Sequence, residues 1–464
     1  MTFYHWKENA FKLFGITIFR ISVKKSRVVY YLFGLPIWFH NSELACLITD
    51  IRNNKNYDMR QIDQRVANLA FKYCNVSPCR KEPKNCIIYL ATELYANGGH
   101  TKCLREYMSL LNKEYKQFLL LTRFTSTDLR NSSTIKSLKE YSELYGEELN
   151  PVSWRKGITS LYNHICHFSP KVIFVFIHPD DIYGAMLLSL IHRNTNISIL
   201  YYPHASHYPN IGMNFANLTL HNLPITARFT RNKRKFSRTH VLGLIGKKLE
   251  DFPIFTTEQI ISQKQKFGLK ENEICVMSGG SAYKFFDSPN HSEFFQTIKK
   301  LLEARSNIRV VILSDFNTRQ TEWIENFFSN SKTRDRLVLT LSTPLYELAF
   351  SCADIFLDSF PVSAALTMVD LMRLRVPAVV KINKNNELWS FHEYQKVDYP
   401  YMFEKVEDFF KGTLQLIDNK SERDRISYIN YKFYLSKYEG NICKTKLCRL
   451  IENHDNLDQY IDTI

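Results

Sequence analysis

Residues 353–381 read ADIFLDSFPVSAALTMVDLMRLRVPAVVK. Ile355, Phe356 and Leu357 form a short apolar run, closed by Asp358 and Ser359. Pro361 to Ala365 are small residues suited to a tight loop. Leu366 to Leu374 carry apolar side chains at helical spacing, and Arg375 ends that stretch. Pro377 to Val380 make a second buried strand. Strand, tight loop, helix and strand, in a parallel sheet, put a helix N-terminus at the carboxyl edge of the strands. That edge is where open α/β sheets bind phosphates and nucleotides. Asp370 lies one turn into the helix, where a carboxylate can hold ribose hydroxyls.

Upstream, the same pattern repeats. Ile274 to Met277 reads as a strand, followed by Ser278-Gly279-Gly280-Ser281-Ala282-Tyr283-Lys284. Small residues there let backbone N–H groups face a pyrophosphate, and Lys284 can neutralise it. A helix is expected over Ser292–Ala304, a strand over Arg309–Leu313, a helix over Thr321–Phe328 and a strand over Leu337–Thr340. The last of these closes at Ser342-Thr343-Pro344, before a short helix from Leu345 to Cys352.

A first α/β unit precedes this one. Cys86 to Leu90 is a buried strand. Ala96-Asn97-Gly98-Gly99-His100-Thr101 follows, then a helix to Leu111. Gly98 and Gly99 allow the chain to pass close to a ligand, and Thr101 can cap the helix. Further strands are expected over Gln117–Leu121, Val172–Ile177 and Ile197–Tyr201. Past their ends stand His178, Asp180, Asp181, His204 and His207, all on one sheet edge. Each alone is more often a structural or surface residue, but their shared edge points to a site. The block Arg228 to Lys235 reads as a solvated loop, with phosphate binding as the alternative. Residues 1–40 hold an echo, Leu13-Phe14-Gly15 and Leu32-Phe33-Gly34, in short strands or an amphipathic hairpin with basic turns.

A chain of 464 residues with 45% hydrophobic content is long enough for two or three domains, each with a sizeable core. It holds no apolar run of about 18 residues and no signal-peptide pattern at its start. Ten scattered cysteines, without a disulfide rhythm, suggest reduced thiols and a cytoplasmic setting. Cys74, Cys79 and Cys86 lack the paired spacing of a zinc site, and no metal is assigned. A net charge of +15 fits a polyanionic substrate, an anionic membrane surface or nucleic acid, or simply a Lys-rich composition. No nucleic-acid-binding signature accompanies it.

Two α/β units joined by a linker resemble a GT-B glycosyltransferase. Phe360 to Asp370 aligns without gaps with the donor loop of the bacterial adhesin protein glucosyltransferases. It is also similar to that of the O-linked N-acetylglucosamine transferases. By this resemblance Tyr283-Lys284 contacts the donor pyrophosphate, and Ser363, Ala364, Ala365 and Thr367 meet the phosphates. Asp370 binds the ribose, and Ser342, Thr343 and Leu345 frame the uracil. The donor set also takes in Gly98, Gly99, Gly279, Gly280, Ser281, Ser359 and Pro361. The first unit is similar to less characterised bacterial glycosyltransferases carrying a GGHT loop and a His-Ala-Asp-His run. The duplicated LFG segment is similar to extensions on surface-polysaccharide glycosyltransferases. Ala365 and Leu366 replace hydrogen-bonding residues of the better-known loops, and Ser206 replaces the carboxylate of the His-Ala-Asp-His run, which bears on donor choice.

The resulting expectation is an α/β protein of GT-B type, two Rossmann-like domains facing a cleft, with a small N-terminal extension. The domains run over 1–82 (extension), 83–255 (acceptor), 256–415 (sugar nucleotide) and 416–464 (C-terminal helices). The expected chemistry is inverting, metal-independent transfer from a nucleoside diphosphate sugar, UDP-linked, with no cofactor. His100, His204, His207 and Asp181 are the candidate general bases, the histidine pair first. The acceptor is a cell-surface glycan or lipopolysaccharide-type hydroxyl, with an adhesin side chain as the alternative. A non-catalytic sugar-nucleotide scaffold is the rival of another class. The expected location is cytoplasmic, with peripheral attachment at the inner membrane face through the basic surface.

Overall fold

The computed structural model describes residues 9–462 except 14–15, 25–26, 33–34, 42, 96–98, 124–132, 148, 150–152, 204, 206–207, 330–332, 342–345 and 385; over 9–41 and 133–135 it describes the backbone alone. The chain divides into two compact units. One comprises Met1–Leu242 with Leu447–Ile464, the other Gly243–Lys446.

Four antiparallel strands begin the first unit: β1 (Asn9–Leu13), β2 (Ile16–Lys24), β3 (Arg27–Leu32) and β4 (Leu35–Asn41). Leu13 pairs with Ile16 and Leu32 with Leu35, so the leucine of each repeated segment holds the equivalent register; Phe14-Gly15 and Phe33-Gly34 lie outside the described residues. The unit's main sheet is built from β5 (Lys84–Ala91), β6 (Lys116–Leu121), β7 (Glu143–Gly146), β8 (Pro170–Phe176), β9 (Ser198–Tyr201), β10 (Leu218–His221) and β11 (Thr239–Val241). Its order is β11-β10-β9-β8-β5-β6-β7, with every pairing parallel. Helices on its faces explain why Ile87 to Leu90 and Val172 to Phe176 are apolar runs rather than alternating ones; all are buried. The helix Ile182–Asn194 is buried over nearly its whole length, and the helix Arg60–Tyr73 packs against it. Asp63, on the latter, accepts hydrogen bonds from Gly212 N (2.7 Å) and Asn214 Nδ2 (2.5 Å), fixing the segment after β9.

The second unit holds β12 (Ile274–Gly279), β13 (Ile308–Leu313), β14 (Leu337–Thr340), β15 (Ile355–Leu357), β16 (Ala378–Lys381) and β17 (Met402–Phe403). Its parallel sheet runs β14-β13-β12-β15-β16-β17. The helices Glu293–Ala304 and Thr318–Phe328 open on Ser292 and Asn317, whose side chains accept from Phe295 N and Gln320 N. Phe360 packs edge-on between Phe294 and Phe409, with ring centroids 5.3 and 5.2 Å apart, anchoring the loop that follows β15.

Both main sheets reverse their strand order once, between β5 and β8 in the first unit and between β12 and β15 in the second. At such switch points the flanking connections leave in opposite directions and open a crevice at the carboxyl edge. The expected α/β architecture of two parallel-sheet domains with an N-terminal extension is therefore what the chain adopts.

One expectation fails. Arg228 to Lys235 is not a loop: Pro224–Lys233 is a helix with Pro224 in its first turn. Arg234, just past it, is buried rather than solvated. Its guanidinium donates to Thr230 Oγ1 (2.8 Å) and the Tyr208 carbonyl (3.0 Å) and lies over the Phe229 ring. Burial pulls its pKa down to about 10. Charge density alone could not show that one cation of the run has aromatic and carbonyl partners.

The last residues return to the first unit, where they cover edge strand β11. Asp462 N donates to the Thr239 carbonyl (2.8 Å), and His240 Nδ1 lies 2.9 Å from the Tyr460 carbonyl. Among the described residues no helix is long and apolar enough to cross a membrane. None of the ten cysteines is in a disulfide.

Candidate functional site

In the second unit the switch point is built by the ends of β12 and β15. Gly280 follows β12 with φ +152°, and a Cβ there would meet Lys284 Cδ at 3.1 Å. The conformation calls for glycine, and a Cβ would also crowd the Lys284 stem. Gly279 is as tightly placed, its missing Cβ 3.0 Å from the Phe350 ring. Two residues on from Gly280, the Ala282 N–H donates to Asp315 Oδ1 (2.8 Å), past β13. Ser281 and Tyr283 are exposed, and Lys284 is half-buried. The Lys284 ammonium does not point into solvent: Nζ donates to the Ser363 carbonyl at 2.8 Å.

Asp358 closes β15 with no exposed surface. Its Oδ1 accepts from Ala364 N (2.7 Å), and its Oδ2 has no hydrogen-bond partner among the described residues. Burial pushes its pKa up to about 6, opposed by the Ala364 N–H, the Ser363 hydroxyl and the Lys284 charge. Burial lowers the Lys284 ammonium in turn, with Asp358 opposing. Ser359 Oγ donates to the Val362 carbonyl (2.8 Å), and Ser363 N to the Trp389 carbonyl (2.7 Å). Pro361 follows Phe360 in a cis peptide bond. Ala365 takes φ +33° at the N-cap of the helix Leu366–Arg373. Thr367 stands half-buried in its first turn. Asp370 is buried farther along, near enough to Arg373 for their charges to interact. The loop is thus closed on itself by Lys284, Asp358 and Ser363, with a helix N-terminus beyond it. Ser342, Thr343 and Leu345 lie outside the described residues.

In the first unit the switch point gathers the residues that follow β5, β6 and β8. Asp181 caps the helix Ile182–Asn194, with Oδ1 accepting from Gly184 N (2.9 Å). Its Oδ2 accepts from Thr92 and Thr122, each at 2.5 Å, so one carboxylate joins the ends of β5, β6 and β8. His100, at the start of the helix Gly99–Leu111, is buried and sets Nε2 2.7 Å from the Phe176 carbonyl. Burial pulls its pKa down to about 4, against that hydrogen bond. His178 is pulled down to about 3 by burial, with His100 and Arg123 adding to the effect. Both imidazoles are uncharged at neutral pH. Gly98, His204 and His207 lie outside the described residues, and Gly99 is exposed at the helix start.

Three residues of this edge were not singled out from sequence: Glu93, Tyr95 and Arg123. Glu93 Oε1 accepts from Tyr95 Oη (2.9 Å) and Arg123 Nη1 (3.2 Å), and His178 Nδ1 lies 3.8 Å from it. Tyr95 stacks flat on His178, with centroids 5.6 Å apart and planes 2° from parallel, and its hydroxyl is 3.3 Å from Nε2. Burial works against the Arg123 charge, but Asp181, Glu93 and Asp180 outweigh it and its pKa is raised. The signal that could have found Glu93 and Arg123 is simple. Each is the first charged residue past the apolar run that ends a parallel strand, Cys86–Ala91 or Phe118–Leu121, where side chains stand at the sheet edge.

The two edges differ in character. The second unit offers a lysine, a glycine turn and a helix N-terminus, which suit an anion. The first offers three carboxylates around one arginine, beside neutral histidines, which suits hydroxyl recognition and proton transfer.

No family model matches the sequence, and no curated protein matches it by sequence. Solved structures match the fold. A glycosyltransferase from Rickettsia africae ESF-5 superposes with a TM-score of 0.61 at 11% identity, over 80% of this chain and 99% of that one. Anabaena HepE, in complex with UDP and glucose, gives a TM-score of 0.61 at 12% identity, over 80% of this chain and all of that one. An O-GlcNAc transferase from Thermobaculum terrenum gives 0.56 at 11% identity, over 90% of this chain and 78% of that one. At these identities the likeness establishes a shared GT-B fold.

Proposed function

We propose that this chain is a glycosyltransferase that moves a sugar from a nucleoside diphosphate sugar, UDP-linked, to an acceptor hydroxyl. The observation that carries this is the switch point of the second unit. Gly280, Lys284 and the N-terminus of the helix bearing Asp370 meet there on one edge of a parallel sheet. The shared fold with HepE, which binds UDP and glucose, supports UDP as the carrier. Lys284 and the helix dipole stabilise the diphosphate as it leaves. Asp370 holds the ribose. The transfer inverts the anomeric carbon and proceeds without metal, with the positive charge that offsets the leaving diphosphate supplied by the protein.

The acceptor is a cell-surface glycan of lipopolysaccharide type, met at the cytoplasmic membrane face. The net charge of +15 supports an anionic, membrane-associated acceptor. A protein side chain as acceptor, and a scaffold that binds without turnover, are outcomes the following tests separate.

The intact chain is screened by thermal shift against UDP, UDP-sugars and GDP-sugars, and every binder is assayed for release of nucleotide. UDP-sugars are expected to stabilise it; a ligand at 100 times its Kd adds about 2.7 kcal/mol. Asp370→Ala should abolish that shift. Stabilisation by no nucleotide, or an undiminished shift in Asp370→Ala, sinks the donor-site assignment. Binding without release identifies a scaffold. Co-sedimentation with anionic liposomes tests the membrane-side acceptor.

A further inference from the structure

We propose that Glu93 is the group that takes the proton from the acceptor hydroxyl, oriented by Arg123, Tyr95 and His178. This rests on the transferase reading above and assigns the residue that would serve it in the first unit.

The geometry separates Glu93 from its neighbours. Asp181 has both carboxylate oxygens engaged, by Thr92, Thr122 and Gly184, and holds three strand ends together. His100 spends Nε2 on a backbone carbonyl inside the protein. Glu93 is held differently. Tyr95 and Arg123 both converge on Oε1, and Oε2 has no partner among the described residues. Its side chain retains 17% of its surface, whereas His178 beside it retains 1%. A carboxylate fixed through one oxygen, with the other presented at a sheet edge, is the arrangement a proton acceptor needs.

The supporting residues also form a directed chain. With its proton on Nε2, His178 donates to Tyr95 Oη, and Tyr95 in turn donates to Glu93 Oε1. The near-parallel stacking of the two rings fixes where the Tyr95 hydroxyl sits. Arg123 holds the carboxylate in place from the end of β6, with Nη1 3.2 Å from Oε1. These three are positioning residues: Arg123 has no acceptor, and His178 is buried beneath Tyr95.

The step balances without a further reactant. Oε2 takes the acceptor O–H proton while the acceptor oxygen forms a bond to the anomeric carbon. The bond from that carbon to the diphosphate oxygen breaks, and UDP leaves with the electron pair. Water in place of the acceptor gives sugar and UDP by the same route, so release of UDP from the donor alone reads out the same base.

The test uses the intact chain with UDP-glucose and UDP-GlcNAc as probes, in wild type, Glu93→Gln, Glu93→Asp and Asp180→Asn. Stabilisation by UDP is measured beside UDP release. Glu93→Gln should keep the UDP-induced shift and the donor KM while kcat falls by about 10²- to 10⁴-fold, the usual worth of a general base. Glu93→Asp should restore part of the rate. Release by Glu93→Gln at the wild-type rate overturns the proposal. So does loss confined to Asp180→Asn, and so does a wild-type chain that binds UDP but releases none from either donor. A chain that binds no UDP at all instead fails the transferase reading, before Glu93 is in question.

Discussion

Lys284→Met tests the electrostatics of the second unit's switch point directly. Asp358 has no exposed surface and a pKa raised to about 6, from an unfolded value near 3.8. The folded state therefore favours the protonated acid. Stability is unaffected by this group below about pH 4, falls as pH rises between the two pKa values, and is lower by about 3 kcal/mol once both states are ionised. Lys284 is one of the groups that keep the rise from being larger. Replacing its ammonium by a methionine of similar length removes that charge, so the Asp358 pKa climbs further and the cost extends above pH 6. Each further unit costs about 1.4 kcal/mol. The Ser363 carbonyl also loses its donor, for about 1 kcal/mol at any pH. The expected loss is about 1 kcal/mol at pH 5 and about 2–3 kcal/mol at pH 8. At roughly 2–4 °C per kcal/mol, the thermal midpoint of the intact chain should fall by about 4–12 °C at pH 8 and by clearly less at pH 5. Asp358→Asn in the same background should erase the difference between the two pH values. A midpoint loss equal at both pH values, or none at either, refutes the coupling between Lys284 and Asp358. The same variant should lose stabilisation by UDP, since Lys284 is the cation assigned to the donor diphosphate.

Two further predictions follow from side chains that hold the sheet edges. Asp181→Ala should destabilise the chain by about 3–5 kcal/mol, because two buried threonine hydroxyls and a helix N-cap lose their acceptor together. Chemical denaturation checks this, and a loss below 1 kcal/mol contradicts the strand-joining role. Ala365, at φ +33°, should tolerate glycine with little change but lose about 1–2 kcal/mol on substitution by valine, whose branched side chain resists positive φ. Equal midpoints for the glycine and valine variants refute that account.

Much of the second unit was legible because its signals are local. Ile355–Leu357, the small residues after it and Leu366–Arg373 follow one another in sequence, and each element declares itself by composition. The first strand of each sheet was equally plain, since a parallel strand buried on both faces is an unbroken apolar run. The site was less legible where it depends on distant partners. Lys284 reads from sequence as a cation facing a diphosphate, but its ammonium is tied to a carbonyl 79 positions along the chain. Glu93 and Arg123 stand 30 positions apart and acquire meaning only when β5 and β6 lie side by side. Arg234 misled because a run of cations looks solvated until one of them is seen against the Tyr57 and Phe229 rings.

The return of the last residues to the first unit has a consequence for how this chain is made. Strand β11 and the residues that cover it, Asp458 to Asp462, lie on either side of the entire second unit in the sequence. During synthesis the first sheet emerges with that edge strand bare, and the second unit must pass out of the ribosome before its cover arrives. At about 5–20 residues per second the wait is on the order of ten seconds or more, during which an open parallel edge is available to other chains. The second unit is contiguous and meets no such delay. Nascent chains stalled near residue 446 should therefore be the species most prone to aggregate, with release of the final segment closing the window.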